Sequence, residues 1–150
     1  MKKSAFALIL FMIFVMGCTE NEPGIIEISE NMFITQIDNI NLNYRDYVGK
    51  TIKLEGFFVH NFWEGNNWFF VVRNTPDCCG EGSVVGFEVS WDPDYQGTNR
   101  DTDLSMWPET DEWVEAIGTL THFEFMGNRV FLALSELNVL ETRGQSFVFR

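Results

Sequence analysis

The adjacent cysteines Cys78 and Cys79 are the residues whose chemistry is most distinctive in this sequence. Thiolates are soft ligands that favour zinc or copper. Four carboxylate or imidazole side chains are available to complete a coordination shell: Asp77, Glu81, His60 and His122. One prediction is therefore a metal site, with zinc as the candidate cofactor. Its ligands would be gathered across loops, because the chain holds no Cys-x-x-Cys pair.

The same pair allows two other interpretations. In an oxidising compartment, Cys78 and Cys79 could form a disulfide, and adjacent cysteines close only a strained ring. Such strain makes the bond labile, which suits a redox switch or a rigid loop clip. Alternatively, both are small buried side chains that pack the loop under the fold. The sequence leaves the three interpretations open.

The acidic stretch 92–103 partly matches an EF-type calcium loop. Asp92, Asp94 and Asp103 stand at its first, third and twelfth positions, and Gly97 stands at the sixth. However, Gln96 replaces the usual Asp or Asn at the fifth position, and the twelfth ligand is usually a glutamate. A strand is predicted before the loop, where an EF-hand has a helix. The preferred interpretation is a solvated acidic loop, with calcium at Asp92, Asp94, Gln96 and Asp103 as the alternative.

Four aromatic residues bracket the predicted turn 65–67, namely Phe62, Trp63, Trp68 and Phe69. If exposed, they would form a platform that binds a saccharide, a peptide or a cationic group. The alternative is that at least half of them belong to the core. No motif pairs a serine or cysteine nucleophile with a histidine base, so the sequence predicts a non-enzymatic protein.

The N-terminus has the pattern of a secretory signal peptide. Lys2 and Lys3 precede an unbroken apolar run over 5–16. This run is shorter than the about 20 residues that span a bilayer, and it has the length of a signal-peptide core. The segment 15–18 resembles the lipobox of bacterial lipoproteins, which implies cleavage after Gly17 and a lipid on Cys18. We therefore predict a signal peptide over 1–17, a tether over 18–24 and one domain over 25–150.

The charge of the mature chain excludes one class of partner. Loss of Lys2 and Lys3 leaves eight basic and 22 acidic side chains, near −14. Such a surface repels nucleic-acid backbones and anionic lipid headgroups. The prediction is no nucleic-acid binding, with the membrane reached through the lipid. The expected location is lipid-anchored, at the extracytoplasmic face of the cell membrane, with an envelope protein or a small ligand as partner.

The mature domain reads as a small β-barrel. Strand signals lie at 51–62, 68–72, 84–91, 112–121 and 129–140, with a shorter apolar run at 32–37 and a helical turn within 39–48. Tight hairpins join strands 1–2 and 4–5, and a long connection joins strands 3–4. This is the layout of an OB-fold barrel, whose 3–4 connection often carries a helix, here one turn within 101–107. The fold class is therefore predicted as all-β with a short helical element, in a five-stranded OB-fold-like barrel.

Four segments together resemble a known family: 47–56, 77–80, 85–91 and 112–120. The pair Cys78-Cys79 followed by Val85-Gly86-Phe87 is the most specific part. The four segments are similar to the OB-like domain at the C-terminus of YcgQ-type permease subunits and to small bacterial lipoproteins. The resemblance covers about residues 26–148. It implies an OB-like fold and a cell-envelope location, and it hints at transport or metal homeostasis.

Overall fold

The computed structural model describes residues 24–76, 82–98 and 102–149. Most of this part of the chain is β-structure. Its strands are β1 (Ile26–Glu27), β2 (Thr51–Trp63), β3 (Asn66–Thr75), β4 (Ser83–Ser90), β5 (Trp113–Glu124) and β6 (Asn128–Val139). The helix α1 (Phe33–Leu42) precedes β2, and single 3₁₀ turns lie at Glu30–Met32, Tyr44–Asp46 and Leu104–Met106.

Five of the strands close into a barrel. The order is β2-β3-β4-β6-β5, and β5 returns to pair with β2. All neighbours are antiparallel except β4 and β6, which run parallel. The hairpins β2–β3 and β5–β6 and the long β4–β5 connection are those expected of an OB-fold. The prediction of an all-β barrel with a short helical element is confirmed.

Two mid-strand glycines allow the barrel to curve. A Cβ on Gly56 would lie 2.5 Å from the carbonyl oxygen of Val72, and one on Gly118 would lie 2.6 Å from that of Ala133. The β5–β6 register also shifts between Ile117 and Gly118. Glycines at bends of this kind let neighbouring backbones approach closely.

The helix α1 corrects one strand assignment. The run 32–37 was expected to be extended because it is apolar and β-branched, but Phe33 begins a helix. Phe33, Ile37 and Ile40 recur at helical spacing and are buried in the main core cluster. Tertiary burial of this face outweighs the strand preference of isoleucine.

The first hairpin turn lies slightly earlier than predicted. Trp63 pairs with Asn66, so Glu64 and Gly65 are the two turn residues, and Asn66 and Asn67 belong to β3. Both turn residues have positive φ, 50° and 78°. Two-residue hairpins favour this backbone because its twist matches that of the flanking strands.

The β4–β5 connection contributes a ring to the barrel core. Among the residues of this connection that the structure describes, the helical content is the single turn Leu104–Met106, followed by Trp107. The Trp107 ring stacks on Phe69 at 3.8 Å between centroids and lies 5.6 Å from the Phe58 ring. Trp107 therefore covers inward-facing core residues of β2 and β3, a role that α-helices often fill in OB-folds.

Replacing Trp107 by alanine is expected to destabilise the domain by about 2–3 kcal/mol, because stacked core contacts are lost from a half-buried ring. Urea denaturation would measure the change. Met106→Ala is the matched control, since this neighbouring side chain is exposed and should change stability by less than about 0.5 kcal/mol. Equal effects of the two substitutions would show that Trp107 does not stabilise the barrel.

The C-terminal tail docks on β3. The amide of Asn74 donates to the Ser146 carbonyl at 2.9 Å, and the amide of Val148 donates to the Asn74 carbonyl at 2.9 Å. Val148 is buried in the main core. The tail therefore packs on the barrel through both backbone hydrogen bonds and a core side chain.

Candidate ligand-binding groove

A groove opens where β4 and β6 diverge. These strands pair only at Glu88–Ser90 with Phe131–Ala133, although both are longer. Toward the start of each strand they separate around a recess of about 660 Å³. We call this recess the β4–β6 groove. Its walls are β3, β4, β6 and the segment after α1, with Phe70, Val84, Gly86, Glu88, Asn128, Arg129, Leu42 and Tyr44 among the lining residues.

A second recess continues the groove. It measures about 360 Å³ and shares Tyr44 and Asn128 with the first. The Tyr44 ring stacks on His122 at 4.8 Å between centroids, and Arg45 and Glu124 complete the lining. The two recesses form one elongated surface, which suits an extended ligand better than a compact one.

The groove contains a buried carboxylate. Glu88 lies on the outer face of the barrel, yet its side chain is only 3% exposed. Arg129 donates to Glu88 Oε2 at 2.9 Å, and the Tyr95 hydroxyl donates to Glu88 Oε1. Tyr95 packs with Phe123 and Phe131 in a second hydrophobic cluster outside the barrel. The start of the β4–β5 connection thus covers the outer face and buries Glu88.

Burial decides the electrostatics of this group. It raises the pKa of the Glu88 carboxyl above its ordinary 4.5, although Tyr95 and Arg129 act in the opposite direction. Burial and the adjacent carboxylate also raise the pKa of the Tyr95 hydroxyl. The phenol therefore stays protonated and can donate to Glu88 across the physiological pH range.

Glu88→Gln should reveal this shift as a pH-dependent stability difference. A carboxyl whose folded pKa is raised contributes stability below its unfolded pKa, near 4.5, and that contribution is lost as the pH rises through the folded pKa. The stability of wild type relative to Glu88→Gln should fall by about 1.4 kcal/mol per unit of raised pKa. Urea denaturation from pH 4 to 8 measures it. A difference that stays flat or rises with pH would contradict the shift, and the exposed Glu124→Gln is the control.

Trp68 lies beside this pair and stays among the ligand candidates. The Arg129 guanidinium carbon lies 5.4 Å from the centroid of the Trp68 ring. The indole N–H of Trp68 is buried, and within the described ranges no group accepts a hydrogen bond from it. A buried donor without a partner costs about 1–3 kcal/mol.

The other aromatic candidates separate into two environments. Phe62 and Trp63 are 67% and 66% exposed at the end of β2. Phe69 is 1% exposed and belongs to the main core, so it is not part of an exposed platform. Of the residues expected to form a platform around the hairpin turn, Phe62 and Trp63 are the exposed ones.

Most of the proposed metal ligands lie outside the described residues. Asp77, Cys78, Cys79 and Glu81 lie outside the described residues, as does Cys18. The two histidines have separate partners: His60 Nε2 lies 2.8 Å from Asn67 Oδ1, and His122 Nε2 lies 3.0 Å from Asn128 Oδ1. Within 24–76, 82–98 and 102–149, no three His, Cys, Asp or Glu side chains come together as a metal site.

The acidic loop uses its carboxylates locally where the structure describes it. Asp92 Oδ1 accepts from the amide of Asp94 at 2.9 Å, and Asp103 Oδ1 accepts from the amide of Ser105 at 3.0 Å. Asp92, Asp94, Gln96 and Asp103 are all exposed. These are turn-forming contacts of the type that Asp side chains make in solvated loops.

Sequence reasoning missed the polar residues of the groove. Glu88, Arg129 and Tyr95 are not among the candidate residues that the sequence predicts. One signal was available, since Glu88 is a lone charge between Phe87 and Val89 in an apolar strand. A charge in such a run is either solvated on the outer face or buried with a partner, and only the fold shows which.

A family model described as the DUF1980 C-terminal domain matches residues 16–150. No curated protein matches the chain. In the part of the chain that the structure describes, no helix has the length and apolar character required to cross a membrane.

Proposed function

The chain belongs to the DUF1980 C-terminal domain family, and from this premise we propose that it is a non-enzymatic binding protein anchored outside the cytoplasm. A lipid on Cys18 would hold it to the membrane, and its barrel would take a ligand in the β4–β6 groove. The observation that carries the proposal is the groove, an elongated recess in which the buried Glu88 carboxylate is paired with the partly exposed Arg129.

The groove has the mixed chemistry of ligand sites. Such sites combine apolar surface with a few fixed polar groups that orient the ligand. Here Phe70, Val84 and Leu42 provide apolar surface, and Asn128 and Arg129 provide hydrogen-bond donors. The recess also lies on the face formed by β3 and β4, which are the second and third strands of the barrel. OB-folds bind oligosaccharides and other extended ligands on this face.

The lipid anchor is supported by the sequence and by the charge. The described domain begins at β1, close after the predicted tether 18–24, so the barrel would stand near the bilayer surface. A chain near −14 is repelled by anionic headgroups. A covalent anchor is therefore required for stable membrane association, and two acyl chains are sufficient for it.

Phe70→Ala is expected to weaken ligand binding about tenfold or more, because aromatic side chains in a binding recess contribute strongly to affinity. The measurement is an NMR titration of the processed chain with short oligosaccharides and peptides, in which shifted resonances should cluster at Phe70, Val84 and Arg129. Phe149→Ala, at an exposed phenylalanine outside the groove, should leave the affinity unchanged.

Phe62→Ala distinguishes the groove from the hairpin platform. If Phe62→Ala abolishes binding while Phe70→Ala does not, the ligand binds at the tip of β2 and the groove proposal is wrong. Loss of binding with Phe70→Ala alone supports the groove.

Metal handling or redox sensing at Cys78-Cys79 is the alternative function. One structural feature favours it: a cavity of about 420 Å³ is lined by Pro76 and Ser83, which lie on either side of the pair in sequence, and by Asp38. A carboxylate there could join the thiolates around zinc. Stoichiometric zinc that is lost in the Cys78→Ser/Cys79→Ser variant would favour this alternative over the binding protein.

A further inference from the structure

We propose that the occupant of the β4–β6 groove is an extended, basic segment of a partner protein that adds as a strand to the edge of β4. This inference rests on the proposed function, because it names the ligand class of the same groove.

The edge of β4 is the first observation. Residues 83–88 of β4 pair with β3, but only Glu88–Ser90 pair with β6. Ser83–Phe87 therefore has no strand on its other side among the residues that the structure describes. An unpaired strand edge presents backbone N–H and C=O groups, and an extended peptide satisfies them by strand addition.

The groove follows this edge. Val84, Gly86, Phe87 and Glu88 line it, and the β6 residues Asn128–Val130 form the opposite wall. Five residues of extended chain span about 17 Å. The continuous recess beyond Tyr44 adds length in one direction. A peptide strand would thus lie along β4, with its side chains alternating between the groove floor and solvent.

The groove walls define the side chains that fit. Val84 and Leu42 are exposed apolar residues, and Phe87 and Val130 reach the groove from the barrel side. Alternate apolar residues on one face of the peptide would cover this surface. Gly86 lines the groove without a side chain, and a Cβ there would clash with a backbone carbonyl oxygen of β3, so the close approach of β3 requires glycine at this position.

Charge favours a basic partner. Within the groove, Glu88 and Arg129 neutralise each other. Beyond its two ends, Asp38 lines the adjoining cavity and Glu124 lines the adjoining recess. The whole chain carries −12. Arg45 lines the same recess as Glu124, so the preference for a basic partner comes from the net negative charge of the chain. This charge would attract lysine or arginine residues that flank the apolar core of the peptide and would accelerate their association.

The test uses a phage-displayed library of random dodecapeptides, selected against the processed chain. Enriched peptides should alternate apolar residues and carry flanking lysine or arginine. A synthetic copy should slow amide hydrogen exchange at Ser83–Phe87. Its backbone N-methylated analogue should bind about thirtyfold more weakly, since two backbone hydrogen bonds of about 1 kcal/mol each are lost.

Val84→Lys and Val139→Lys form a matched pair of variants. Both positions are exposed, 61% and 53%, but only Val84 lines the groove. Val84→Lys should weaken peptide binding roughly tenfold through charge repulsion at the edge, and Val139→Lys should not. Failure to enrich any peptide, equal binding of the N-methylated analogue, or protection elsewhere would overturn the inference.

The peptide experiment and the ligand titration can fail independently of each other. If oligosaccharides shift the resonances of Phe70 and Arg129 while no peptide is enriched, the groove is a ligand site and the strand-addition inference alone is wrong. If neither class of probe perturbs the groove, both fail.

Discussion

Cys18→Ser is expected to move the protein completely from the membrane fraction to the soluble extracytoplasmic fraction. The serine hydroxyl does not replace the thiol that receives the lipid, so no acyl chain is attached. Each buried methylene contributes about 0.8 kcal/mol to membrane binding, and two chains make the anchoring stable. The acidic barrel offers no electrostatic attraction in compensation, because the mature chain is near −14.

Fractionation and mass spectrometry of the native product measure this effect together. The wild type should begin at Cys18 and carry the mass of its acyl chains. Cys78→Ser and Cys79→Ser make the same chemical change elsewhere and should leave the membrane fraction unaltered. A wild-type product that retains residues 1–17, or a Cys18→Ser variant that stays on the membrane, would contradict the anchor.

The barrel was predictable because its information is local. Residues alternate between core and exterior along β2, where Ile52, Leu54 and Phe58 are buried. A period of two over a long segment marks a half-buried strand, and turn residues mark where it reverses. The strand order follows from the two tight hairpins and the long connection, which leave few arrangements for five strands.

The helix α1 was not predictable in the same way. Ile34, Ile37 and Ile40 are β-branched, and over a short window they favour a strand as much as a helix. Their common environment is the barrel core, which forms only after strands distant in sequence have paired. Local preference therefore could not identify the element that covers the core.

The groove was likewise not predictable from local sequence patterns. Phe70, Glu88 and Arg129 lie on three strands and meet only because β4 and β6 run parallel and then diverge. That divergence has no counterpart in residue spacing. The cysteine pair has the opposite character, since its chemistry is evident in the sequence while its geometry lies outside the described residues.

Arg73→Ala is expected to destabilise the domain by about 3 kcal/mol, at the lower end of the range for breaking a buried ion pair. The Arg73 side chain is 1% exposed, and its partner Glu30 is 43% exposed. Removal of the guanidinium therefore leaves a carboxylate that water can reach, which limits the loss. Burial lowers the pKa of Arg73, and the nearby Glu30 carboxylate opposes this change.

The guanidinium joins three parts of the chain. Arg73 Nε donates to the Glu55 carbonyl at 2.7 Å, and Nη1 donates to the Gln145 carbonyl at 3.2 Å. Its guanidinium carbon lies 4.7 Å and 4.9 Å from the rings of Phe33 and Trp113. Alanine would leave a cavity between these rings and remove the donors for both carbonyls. The C-terminal tail should then be held more weakly, since Gln145 loses this contact and keeps its amide hydrogen bond to Glu30.

Arg73→Met and Glu30→Gln separate the contributions. Methionine fills most of the volume of the arginine side chain but cannot donate a hydrogen bond. Arg73→Met should therefore lower the free energy of unfolding by about 1–2 kcal/mol. Glu30→Gln keeps an Oε1 acceptor for Arg73 and for the Gln145 amide. This variant should therefore have the smallest decrease in the free energy of unfolding. Urea denaturation gives the order, and hydrogen exchange at the amides of Asn74 and Val148 reports tail release. A loss below about 1 kcal/mol for Arg73→Ala, with the tail still protected, would show that the hydrogen bonds to Asn74 and the packing of Val148 hold the tail without the guanidinium.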